Sequence, residues 1–138
     1  MRAVLDVNVL ISALMSRSGS PARLLLAWQA GEFELIVSPA LLAELSRALA
    51  YPKVARMVPA DDAESFVAWL SRNATLASDL TSAPIVSSPD PNDDYLLALS
   101  ADQKAVLVTG DRHLLGLAGD LPIRTPAEFL GSLTLPSK

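Results

Sequence analysis

The chain is expected to fold as an α/β protein in which helices cover both faces of a central parallel sheet, a three-layer α/β/α sandwich. Three observations lead there. Short, almost wholly apolar runs such as "AVLDV" (3 to 7), "FELIVS" (33 to 38) and "AVLVT" (105 to 109) read as strands buried on both faces. Stretches of helical spacing separate them, which implies crossovers between parallel strands. The composition, 51% hydrophobic with only 5% aromatic, suits an Ala/Leu/Val interior of helices on a sheet.

The elements follow in order. "AVLDV" runs into a helix over "NVLISALM", whose apolar residues Val9, Leu10 and Leu14 share a face. "RSGSPA" is a turn in which Ser20 is the expected N-cap and Pro21 the first helical residue, and that helix stops at Gly31. "FELIVS" leads to a helix over "PALLAELSRALA", ended by Tyr51-Pro52. "DDAESFVAWLSRN" (61 to 73) opens with acids suited to the positive end of a helix dipole and carries Phe66, Val67 and Leu70 on one side. A short "TLAS" strand and a loop precede the helix "DDYLLALSADQ". The strand "AVLVT", the short helix "GDRHLLGLA", a last strand "IRT" and the helix "PAEFLGSL" complete the order β-α-α-β-α-α-β-α-β-α-β-α. No repeat or charge block divides the chain, so residues 1–138 are read as one domain.

Composition also narrows function. With no cysteine, disulfides and thiolate metal sites are excluded, and a cytoplasmic home is the default expectation. Asp6 and Asn8 interrupt the apolar opening, which is therefore read as neither a signal peptide nor a membrane span. A net charge of -4 argues against broad electrostatic capture of nucleic acid, and the sparse aromatics suggest no stacking platform for bases.

The acids carry the chemistry. In parallel sheets, ligands bind beyond the carboxyl ends of the strands, where strand order reverses. Asp6 ends the first strand and Asp111 follows "VLVT" by two residues, so both project from that edge. Glu44 lies in the helix after the second strand and Asp93 opens the helix before the fourth, so all four can converge on one pocket. Each has a plain alternative. Asp6 and Asp111 suit turns or helix caps, Glu44 suits an ion pair with Arg47, and Asp90-Pro91-Asn92-Asp93 reads as a capping box.

Gathered together, four carboxylates would raise one another's proton affinity unless a cation sat among them. Oxygen donors without Cys suit Mg²⁺ or Mn²⁺. Asn8, Ser38 and Thr109 have short polar side chains at strand ends, where they would orient a carboxylate or a metal-bound water, although Ser38 suits equally well the cap of the helix begun by Pro39. Asp94, about 100° from Asp93 around the helix, is the fallback for its role. His113 reads as a helix-surface or partly packed residue, and Trp28 and Trp69 as core or dimer contacts.

"VLDVNVLISAL", "ELIVSPALLAEL", "DPNDDYLLALS" and "VLVTGDRHLL" resemble, in order and spacing, the motifs of PIN-domain proteins, above all the bacterial toxin components related to VapC. The resemblance runs from residue 2 to about 130 and includes "SPARLL" and "TPAEFL". It implies an α/β/α sandwich and a metal-dependent endoribonuclease whose acids fall on Asp6, Glu44, Asp93 and Asp111. It also implies Mg²⁺ or Mn²⁺ as cofactor, an RNA substrate, a homodimer and an antitoxin partner. Two positions depart from the family pattern: Val7 stands where Thr is common, and His113 where an acid is frequent. Arg17, Arg23, Arg47, Lys53, Arg56 and Arg112 are the candidate phosphate contacts. Two rivals are a non-catalytic PIN module and a Mg²⁺-binding receiver-type signalling domain, for which "RTPAEF" lacks the expected Lys.

Overall fold

A computed structural model describes residues 1–78, 94–117 and 122–134. These residues form β1 (Arg2–Leu5), α1 (Val7–Met15), α2 (Ser20–Gln29), β2 (Glu34–Val37), α3 (Pro39–Leu49), α4 (Pro52–Ala55), α5 (Ala60–Asn73), β3 (Thr75–Leu76), α6 (Asp94–Gln103), β4 (Val106–Val108), α7 (Arg112–Leu115), β5 (Ile123–Arg124) and α8 (Pro126–Thr134). The parallel sheet has the order β3-β2-β1-β4-β5. From β1 the chain winds outward through β2 to β3, returns across β2 and β1 to β4, and continues to β5. The order therefore reverses between β1 and β4.

The strands have little choice of environment. Ala3, Val4, Leu5, Ile36, Val37, Leu107 and Val108 are all essentially inaccessible, as apolar strands covered on both faces must be. On one side α1 packs against α2 and α3, α3 against α5, and α2 against α8; α6 lies over β1 and β4. Right-handed crossovers account for this division, because the outward and the returning connections fall on opposite faces. Trp28 and Trp69 meet edge to face, 5.1 Å between centroids, and hold α2 against α5, while Phe33 meets Phe129 at 5.2 Å. Among the described residues, no helix is long and apolar enough to cross a membrane.

Local differences from the sequence expectation have local causes. The first strand ends at Leu5 because the carbonyl of Asp6 already accepts the Val9 and Leu10 amides of α1. Helix α2 starts one residue early, with Gly19 as N-cap and Ser20 inside the helix, since the Gly19 carbonyl accepts from the Arg23 amide. Its end does fall at Gly31, where φ is 81°. There the Gly31 amide bonds the Trp28 carbonyl and the Glu32 amide the Ala27 carbonyl, a Schellman termination that a residue with a Cβ adopts only with strain. Tyr51-Pro52 ends α3 and also starts α4, a single turn too short to show a periodic signal in sequence. The expected capping box over residues 90 to 93 lies outside the described residues.

Candidate active site

The register of β1 against β4 decides what can meet at the reversal of strand order. Leu5 is paired with Val108, and the Asp6 amide extends the ladder to the Val108 carbonyl at 2.9 Å. The next residue on each strand is thereby set opposite the other, and the Thr109 hydroxyl donates to Asp6 Oδ2 at 2.7 Å. Both residues are buried. The same hydroxyl oxygen accepts from the Asp111 amide at 3.0 Å, so one threonine ties the first acid to the loop of the last.

Burial is the dominant influence on Asp6 and raises the pKa of its carboxyl above the ordinary value. The Thr109 hydrogen bond opposes that most strongly, and the Asn8 and Val7 amides at the start of α1 act in the same direction without forming a side-chain cap bond. Negative charge on Asp111 adds a smaller upward push. No cationic side chain pairs with Asp6 among the described residues.

A cavity of about 150 Å³ opens beside this carboxylate, lined by Asp6, Val7, Asn8, Glu44, Ala48, Tyr51 and Tyr95. Glu44 reaches it from α3, where it also makes an i,i+3 ion pair with Arg47 at 3.0 Å. The ion pair expected of Glu44 as a surface residue and its place in the pocket therefore coexist. On the far side of Asn8 lies a second cavity of about 290 Å³, which Asn8, Val9, Ser12, Pro21, Gly110, Asp111 and Pro126 line. Asn8 forms part of both walls.

Thus Asp6 and Glu44 share one cavity, while Asp111 lines the neighbouring one. Asp111 Oδ1 accepts from the His113 amide at 2.8 Å and caps α7. His113 itself is exposed. Ser38 is wholly buried and its hydroxyl accepts from the Leu41 amide at 3.2 Å, so it caps α3. Asp93 lies outside the described residues, as does the side chain of Asp94. Among the described residues no three Asp, Glu or His side chains form a cluster able to hold a metal ion.

The donors present nonetheless fit a hard divalent cation. A buried carboxylate whose charged form is disfavoured stands on the same cavity as a second carboxylate and a carboxamide, all of them oxygen donors. A cation there would offset the unfavourable burial of charge.

Tyr51 and Tyr95 are the residues that reading the sequence as strand ends overlooked. The chain has two tyrosines, and both line the acidic cavity. Glu44, Ala48 and Tyr51 follow one another at spacings of four and three. That single helical stripe was the available signal.

Compared with known protein families, the chain matches the PIN domain over residues 2–113. An uncharacterized protein of Methanocaldococcus jannaschii is 23% identical over 148 residues, an alignment covering 94% of this chain and 90% of that protein. Among solved structures, a chain of VapBC2 from Rickettsia felis, bound to a DNA fragment from its promoter, is similar with a TM-score of 0.63 at 15% identity. The match covers 91% of this chain and 98% of that one. A PilT N-terminus domain protein of Sulfolobus solfataricus is similar with a TM-score of 0.58 at 13% identity, over 100% and 98% of the two chains. At such identities these two structures show a shared fold.

Proposed function

The chain belongs to the PIN-domain family, and on that premise we propose that it is a Mg²⁺- or Mn²⁺-dependent endoribonuclease, the toxin of a toxin-antitoxin pair, acting in the cytoplasm as a single domain. The observation that carries the reading is the Asp6 carboxylate, buried at the reversal of strand order, held by Thr109, and lining one cavity with Glu44.

Asp6 and Glu44 would hold the ion, joined by Asp93, or Asp94 in its place, and by Asp111, the positions on which the family's acids fall. When bound, such an ion supplies Lewis-acid chemistry, lowering the pKa of water and stabilising charge that develops on the phosphate. Thr109 fixes the direction of the Asp6 carboxylate, and through the Asp111 amide it also sets the loop after β4. Asn8, which lines both cavities, would orient a carboxylate or a metal-bound water. Exposed Arg17, Arg23 and Arg112 are available to phosphates approaching an acidic protein. The fold shared with VapBC2 supports an antitoxin partner, and a homodimer belongs to the same reading.

The test is cleavage of structured and unstructured RNA by the purified protein in Mg²⁺ or Mn²⁺, against EDTA and against Asp6→Asn, Glu44→Gln and Asp93→Asn. Cleavage that requires the ion and is lost in the variants is expected. Cleavage persisting in EDTA and in every variant would mean that the acids are not the catalytic groups.

A further inference from the structure

Both tryptophans of the chain line a cavity remote from Asp6. Helix α2 ends at Gln29 shortly before β2 begins, and α5 ends at Asn73 shortly before β3 begins, so their last turns lie at the edge where the parallel strands start. Asp6 and Thr109 lie at the opposite edge, where the strands end. Between the two last turns a cavity of about 270 Å³ is lined, among the described residues, by Trp28, Gln29, Trp69 and Asn73. That is close to the size of the smallest small-molecule sites, roughly 300 Å³. No charged side chain belongs to this lining.

The indoles are held in place by their neighbours. Trp69 packs on Phe66 at 5.9 Å and on Trp28 at 5.1 Å between centroids, the two indoles meeting at 62°. Both tryptophans are only partly buried. A flat aromatic molecule stacked on one indole would meet the other at that same steep angle, so both contacts take arrangements that aromatic rings prefer. Polar groups stand ready as well. Among the described residues, neither indole N–H nor the Gln29 carboxamide has a hydrogen-bond partner. Asn73 Nδ2 donates to the Trp69 carbonyl at 2.8 Å, which fixes that carboxamide and leaves its Oδ1 to accept.

Aromatic faces combined with hydrogen-bonding side chains recognise a nucleobase, the faces by stacking and the polar groups by pairing along its edge. A Gln side chain matches adenine in particular, donating to N7 and accepting from N6. The second N6 hydrogen then suits Asn73 Oδ1. A hypoxanthine ring, which has a carbonyl in place of the amino group, would set an acceptor against both carboxamide oxygens. The neutral lining offers no counter-charge to a phosphate.

We propose that this cavity is a second ligand site, which takes a neutral adenine nucleoside: the base stacks on an indole, and Gln29 and Asn73 read its amino edge. The site is separate from the acids, and the inference does not depend on the nuclease reading.

Intrinsic tryptophan emission tests it directly, since both tryptophans line the cavity. Adenosine should quench that emission saturably with a Kd of about one millimolar, the strength of one stack and one paired edge. Inosine stacks alike but lacks the amino group, and should bind about tenfold more weakly. Gln29→Leu should reduce adenosine to the level of inosine. An oligoadenylate, titrated in EDTA, distinguishes a base within a strand from the free nucleoside, and should bind no tighter per base than adenosine. Quenching that never saturates, as with free N-acetyltryptophanamide, overturns the inference. So do equal affinities for adenosine and inosine, adenosine binding unchanged in Gln29→Leu, or a strand bound about tenfold tighter than adenosine. Gln29 is exposed, so the variant should melt with the wild type; the adenosine–inosine comparison needs no variant at all.

Discussion

Thr109 donates its hydroxyl to Asp6 Oδ2 across the junction of β1 and β4, and both residues are shielded from solvent. A buried carboxylate with one strong donor responds sharply to the loss of that donor. Thr109→Val keeps the shape and removes the hydroxyl, leaving Asp6 and the Asp111 amide without it. The fold should lose about 1–3 kcal/mol at neutral pH by denaturant unfolding, and cleavage should fall with it. Thr109→Ser, which restores the hydroxyl, should recover both.

Asp6 gives a dependence on pH whose sign follows from its raised pKa. Because the folded protein binds this proton more tightly than the unfolded chain, protonated Asp6 favours the fold, and that contribution disappears as pH rises from the ordinary carboxyl value through the raised one. Metal-free Asp6→Asn should therefore melt above metal-free wild type at neutral pH, with the gap closing as the solution is acidified. Adding Mg²⁺ should raise the melting temperature of the wild type only, since only it retains the carboxylate that the ion would bind. A wild type that melts above Asp6→Asn in EDTA would contradict this account.

Ser38 separates capping from chemistry. Its hydroxyl accepts the Leu41 amide, so Ser38→Ala should cost about 1 kcal/mol of stability. Cleavage measured well below the melting temperature should stay within about twofold of wild type, the behaviour of a cap and not of a ligand-orienting group.

Lys104 terminates α6 with φ at 52°, where the Ala105 amide bonds the Ser100 carbonyl. A side chain in this left-handed conformation is strained, and glycine is the residue such helix ends favour. Lys104→Gly should stabilise the protein by about 0.5–1 kcal/mol, read as a higher denaturant midpoint at unchanged slope.

What the sequence made readable depended on how far apart the cooperating residues lie. Asp6, Thr109 and Asp111 could be placed because a buried strand is a run of apolar residues, and its end marks the sheet edge. Glu44 could be placed because the helix after β2 starts at a proline behind a capping serine. That Tyr51 and Tyr95 share a cavity could not be read, because it depends on how the α3–α4 turn and the first turn of α6 pack over that edge; the spacing of Glu44, Ala48 and Tyr51 points to Tyr51 and says nothing of Tyr95. The division of acids between two cavities on either side of Asn8 was equally hidden, being a matter of side-chain volume at the reversal.

The β1–β4 junction joins residues 103 positions apart. During synthesis, β1, β2 and β3 leave the ribosome long before Thr109 does. A nascent chain in that interval carries Asp6 without its partner strand and without the loop of Asp111. Whatever chemistry the pocket performs is thus withheld until β4 and the loop after it have been made and folded back against β1.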